Sequence, residues 1–66
     1  MVYYFAVYFS GKLRKLTVVP IAAATHADAA GFCRVHFTER QIENWILLYN
    51  NGSTTVEIAR LGMNAE

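Results

Sequence analysis

The sequence predicts an α+β domain in ββαββ order, an antiparallel sheet of two hairpins with one helix packed on a face. Three observations predict it. Two β-prone runs, Tyr3 to Phe9 and Leu13 to Val19, flank Ser10-Gly11-Lys12. A middle segment repeats apolar residues at helical spacing. Finally, Asn51-Gly52 lies between two more β-prone runs, the strongest short-range signal for a hairpin.

The first hairpin rests on β-branched and aromatic residues, which suit a pleated surface. With Ser10-Gly11-Lys12 as the loop, Tyr8 faces Arg14, Ala6 faces Leu16 and Tyr4 faces Val18. The other face then holds Phe5, Val7, Phe9, Leu13 and Val19, with Lys15 and Thr17 between them. A two-residue loop shifts this register by one and rearranges every pair. Pro20 fits the strand end, where no ladder hydrogen bond is needed.

Thr25-His26-Ala27-Asp28 has the form of a helix start. The Thr25 hydroxyl can accept from the N–H three residues on, and Asp28 places negative charge at the positive end of the dipole. Ala30, Cys33 and Phe37 then repeat on one face of a helix of about three turns. Gly31 weakens that helix and is a candidate for close approach to the sheet.

Residues 38 to 66 support two readings. In the hairpin, Asn51-Gly52 forms a two-residue type I′ loop, so Leu47 faces Val56, Trp45 faces Ile58 and Glu43 faces Arg60. Trp45, Leu47, Val56 and Ile58 then share the core face, opposite Ile46, Leu48, Thr55 and Glu57. In the alternative, an N-terminal hairpin is followed by helices. Thr38 and Gln41 make a capping box, Phe37 and Ile42 a hydrophobic staple, and Ile42, Trp45, Ile46 and Tyr49 an apolar stripe ended by Gly52. A second helix would then start from Ser53, carrying Glu57-Ile58-Ala59-Arg60-Leu61-Gly62. That segment resembles the helix-turn-helix of resolvase- or transposase-type DNA-binding domains. The resemblance implies DNA binding, but the family usually has one more residue between Ala59 and Gly62. Its recognition helix would fall beyond Glu66. The hairpin, which uses the whole chain, is the reading we adopt.

The chain of 66 residues is expected to form one domain, residues 1–66, at the small end of independent folding. Hydrophobic residues make up 55% of it, more than so small a monomer easily hides, which points to a homodimer or a partner surface. Cys33 is the single cysteine, so no intrachain disulfide reinforces the fold. The net charge of +1 gives no global argument for nucleic acid. The apolar N-terminal run lacks a basic flank and is too short to span a membrane, so no membrane association is expected. With one unpaired thiol and no signal peptide, the expected compartment is the cytoplasm.

No catalytic, cofactor or metal constellation emerges. Cys33 and His36 can share a helix face, but nothing nearby supplies an orienting group or an oxyanion hole. His26 and His36 lack a third ligand. Glu43 and Glu57 can lie near each other on the second hairpin, but Glu43 reads as the cross-strand ion-pair partner of Arg60 rather than half of an acid/base dyad, and Gly11, Gly31, Gly52 and Gly62 sit singly rather than in a phosphate loop. The expectation is a protein that is not an enzyme and uses no cofactor. Two surfaces remain as candidate partner-binding sites. Lys12, Arg14 and Lys15 gather at the first hairpin's tip beside Tyr4 and Tyr8, an arrangement that can hold single-stranded nucleic acid by phosphate pairing and base stacking. Ile46, Leu48 and Tyr49 form an apolar patch on the second hairpin.

The element order, with a hairpin ending in Val19-Pro20-Ile21 before the Thr25/Asp28 helix start, resembles small phage-encoded inhibitors of host machinery. Some anti-CRISPR proteins and host RNA polymerase inhibitors are of this kind. The resemblance implies a non-enzymatic inhibitor that binds a host protein complex and blocks its substrate or partner site. The competing reading is a small nucleic-acid-binding module, which is not favoured.

Overall fold

The structure, a computed structural model, describes residues 2–10, 12 and 14–62. Its elements are β1 (Val2–Ser10), β2 (Lys15–Ala23), α1 (His26–Glu39), β3 (Trp45–Asn50) and β4 (Thr55–Leu61). The four strands form one antiparallel sheet in the order β2-β1-β3-β4, and α1 covers one face. The ββαββ reading is therefore correct, and residues 38–62 are not a helix pair.

Both hairpin registers differ from expectation. β1 and β2 are joined across residues 11–14, so Tyr8 faces Thr17, Ala6 faces Val19 and Tyr4 faces Ile21. The three-residue loop is too short: Arg14 stands at φ 53° before the strand, with its guanidinium 5.2 Å from the Phe9 ring centre. Gly11 and Leu13 lie outside the described residues. The odd shift exchanges the faces of β2, so Leu16 and Val18 join Phe9 and Val7, while Val19 turns to the helix.

The second hairpin also has a four-residue loop, Asn51 to Thr54, so Tyr49 faces Val56 and Asn50 faces Thr55. Only Gly52 takes a positive φ (98°), whereas type I′ needs two such residues. Asparagine side chains hold the loop instead. Asn51 Oδ1 accepts from the N–H groups of Ser53 (2.9 Å) and Thr54 (3.0 Å), and Asn50 Oδ1 accepts from Gly52 N–H (2.8 Å). Between Leu47/Ala59 and Leu48/Glu57 the register slips by one, leaving Ile58 as the extra residue of a β-bulge. That bulge places Glu57 and Arg60 on one face, where they pair. Arg60 is therefore not opposite Glu43.

The helix begins as expected, with Thr25 Oγ1 accepting from Asp28 N–H at 3.1 Å. Its end carries the residues that the alternative reading used as a start. Gln41 stands at φ 60°, its N–H donates to Thr38 O (3.0 Å), and Ile42 N–H donates to Phe37 O (2.8 Å). This is a Schellman ending, and the Phe37/Ile42 spacing is that of its usual apolar contact. Gly31 is not a close-approach site, since a Cβ there would meet nothing within 4 Å.

The core lies between α1 and the sheet. Ala29, Ala30, Cys33 and Phe37 pack with Tyr4, Ala6, Ile21, Trp45 and Leu47. Ile58 lies half-buried against it, while Val56 is 41% exposed and outside the core. Phe5 and Val7 are on the other face, because β1 turns its even-numbered residues to the helix.

Candidate protein interface on the open sheet face

β1 is apolar on both faces, and α1 covers only one. The uncovered face therefore carries side chains that water would otherwise solvate poorly. Tyr3 is 69% exposed, Phe5 45%, Phe9 36%, Leu16 54% and Val18 53%. The register makes these a continuous surface. Phe9 is opposite Leu16 and Val7 opposite Val18 on one side, while Phe5 faces Leu48 and Val7 faces Ile46 on the other. Ile46 and Leu48 thus sit, half-buried, where the sequence placed them. Toward β4 the face ends in Glu57 and Arg60, whose side chains are hydrogen-bonded (Nε to Oε2, 2.8 Å). That pairing holds the Glu57 carboxyl below its ordinary range and the Arg60 guanidinium above its own.

The other candidate residues divide differently. Lys12, Arg14 and Lys15 are exposed at the β1–β2 tip. Their expected aromatic companions are not beside them on one surface. Tyr4 is fully buried, its hydroxyl sharing a 2.7 Å hydrogen bond with His26 Nδ1, and burial pushes its phenol pKa up. Tyr8 is half-buried with its ring 5.2 Å from Phe37. Tyr49 belongs with Tyr4 and His26, at 5.5 and 5.2 Å between ring centres, so it leaves the Ile46/Leu48 patch. Tyr4, Tyr8 and Tyr49 all fall on the helix face because the register pairs Tyr4 with Tyr49 and alternation carries Tyr8 along. Phe9, on the open face, is the ring that Arg14 covers.

Chemistry is sparse elsewhere. Cys33 is buried, and burial pushes its thiol up to about 11, away from a nucleophile's range. His36 stacks on Phe32 at 4.9 Å. Among the described residues no three His, Cys, Asp or Glu side chains cluster as metal ligands. A cavity of about 340 Å³ at the end of α1 is lined by Thr38, Gln41, Ile42, Glu43 and Leu61, with a single carboxylate among these residues. No helix among the described residues is long and apolar enough to cross a membrane.

The sequence reading missed Tyr3, Phe5, Phe9, Leu16 and Val18 as surface residues. The available signal was the unbroken apolar run of β1, which marks a strand apolar on both faces. Comparison with protein-family models, curated proteins and solved structures finds no match to the chain.

Proposed function

We propose that the chain is a non-enzymatic protein-binding module whose docking surface is the open sheet face. The observation that carries this reading is the exposure of Tyr3, Phe5, Phe9, Leu16 and Val18 on one continuous face. Contiguous apolar surface of this kind on a small domain is a cost unless something covers it. Its aromatic content suits an interface core, which favours Tyr and Phe over charged residues. In the form implied by the resemblance to phage inhibitors, the module occludes a site on a host complex stoichiometrically, in the cytoplasm, where Cys33 stays a thiol.

The test is capture from a lysate of the cell in which the chain acts. Wild type should recover a defined partner complex that Val18→Lys loses and Val35→Lys, on the outer face of α1, retains. Equal capture by all three removes the sheet face from the reading.

One observation favours a second reading. Arg14 over Phe9, with Lys12 and Lys15 adjacent, puts cations at the edge of an aromatic sheet face, as single-strand binders do. Binding of a single-stranded oligonucleotide that weakens steeply with salt would support it. The aliphatic majority of the face, Leu16, Val18, Val7, Ile46 and Leu48, favours protein.

A further inference from the structure

We propose that the open sheet face pairs with the same face of a second copy, making a two-sheet sandwich with the helices outside. The inference rests on the reading of this face as a protein-docking surface and names its partner.

Area is the first argument. An aromatic side chain presents about 200 Å² when uncovered, so the exposed fractions of Tyr3, Phe5 and Phe9 leave about 300 Å² open. Leu16, Val18 and the half-covered Val7, Ile46 and Leu48 bring the apolar patch to about 600 Å², at the top of the range for a monomer's largest patch. A standard interface takes about 800 Å² from each partner. The patch and its rim therefore match one side of a dimer.

Charge is the second argument. The three strands β2, β1 and β3 place no ionised side chain on this face: Lys15, opposite Ser10, falls on the helix side, and the one cation that reaches the patch is Arg14, outside the strands, over the Phe9 ring at its end. The two charges on the β4 side, Glu57 and Arg60, already bond to each other. With its one cation, Arg14, confined to the end of the patch, the middle of the face offers nothing to attract a charged partner, whereas apolar surface is complementary to a copy of itself. The tip charges also select the geometry. Lys12, Arg14 and Lys15 stand at one end of the sheet, and the Asn51–Thr54 loop at the other carries no charge. A two-fold axis along the strands would bring six cations together. An axis across the strands sets each tip beside the partner's neutral loop end. Twisted sheets pack in this way about 10 Å apart.

Sedimentation equilibrium of the purified chain tests this, with circular dichroism monitoring the fold. Wild type should be a dimer. Val18→Lys, on an exposed position of edge strand β2, should weaken association at least about 100-fold, because the pairing buries an unmatched charge. Leu16→Lys provides the same test at a second site, and Val35→Lys should leave the dimer intact. A dimer unmoved by both sheet-face variants overturns the inference. So does a wild-type monomer at every concentration. If that monomer binds the apolar dye ANS and Val18→Lys does not, the face remains a docking surface for a different protein. If it instead binds a single-stranded oligonucleotide in a salt-dependent way, the protein-binding reading falls as well.

Discussion

Gln41→Gly should stabilise the protein, and the sign of the effect separates the two ways of reading residues 38–49. Gln41 stands at φ 60°, one residue past the helix cap, with its N–H bonded to Thr38 O. An L-residue in this left-handed conformation costs about 1–2 kcal/mol, which glycine avoids. Glycine returns about 0.5–1 kcal/mol of this through its greater freedom in the unfolded chain. The net gain is about 0.5–1 kcal/mol. For a domain of this size that raises Tm by about 2–8 °C. The side chain is exposed, so no buried contact is removed. If Gln41 instead closed a capping box at the start of a second helix, glycine there would lose the box and about 1 kcal/mol of helix propensity. Tm would then fall by several degrees. Thermal unfolding followed by circular dichroism reads the sign directly. A clear drop in Tm would refute the Schellman ending and, with it, the argument that α1 stops before β3.

Three further perturbations probe other parts of the fold. Gly31→Ala should add about 1 kcal/mol of stability in urea unfolding, since the site is helical and open, and a loss would mean that the helix approaches its neighbours more closely there. Gly62→Ala should cost at least about 2 kcal/mol in the same assay. Gly62 has φ 70°, and a Cβ would lie 2.6 Å from the Glu43 carbonyl oxygen, which is backbone and cannot swing aside. Cys33 gives a pH dependence. Its thiol is pushed up to about 11 from an ordinary 9.0 by burial, so the unfolded chain loses this proton first. The stability it contributes is complete below pH 9 and is lost as pH rises toward 11, at up to about 1.4 kcal/mol per pH unit. Between those values wild type should lose stability more steeply than Cys33→Ala, and parallel curves would mean that the thiol is not buried.

Element order was legible because each signal was local. Thr25 and Asp28 announced the helix start, and Asn51-Gly52 announced a turn between strands. The registers were not legible, because they depend on how loop side chains bond. Nothing in the spacing of Asn50 and Asn51 distinguishes a two-residue turn from a four-residue loop held by both amide oxygens. The Thr38/Gln41 pair was ambiguous for a related reason. A residue pattern that caps a helix start and one that follows a helix end share the same apolar spacing, Phe37 to Ile42. The Glu57–Arg60 pair could not be anticipated either. Residues three apart in a regular strand point to opposite faces, and only the bulge at Ile58 brings them together.

The placement of the candidate site follows from a feature of β1 that alternation cannot resolve. Val2–Phe9 is apolar at every position, so the pattern itself does not say which side meets the helix. Small Ala6 at the centre, with Tyr4 and Tyr8 on either side, faces α1, and the Tyr4 ring is completed by His26. This leaves Tyr3, Phe5, Val7 and Phe9 outward. β4 shows the contrast: its outward positions Thr55, Glu57 and Arg60 are polar, as expected for a strand solvated on one side. A strand apolar on both faces is the composition of a middle layer, yet only one flanking layer comes from this chain. In the proposal made above, the third layer is a second copy of the chain. The outward face is free of ionised side chains across three strands and bounded by Arg14 over Phe9 at one end and by the Glu57–Arg60 pair toward β4, and it is on these properties that the proposed pairing of two copies rests.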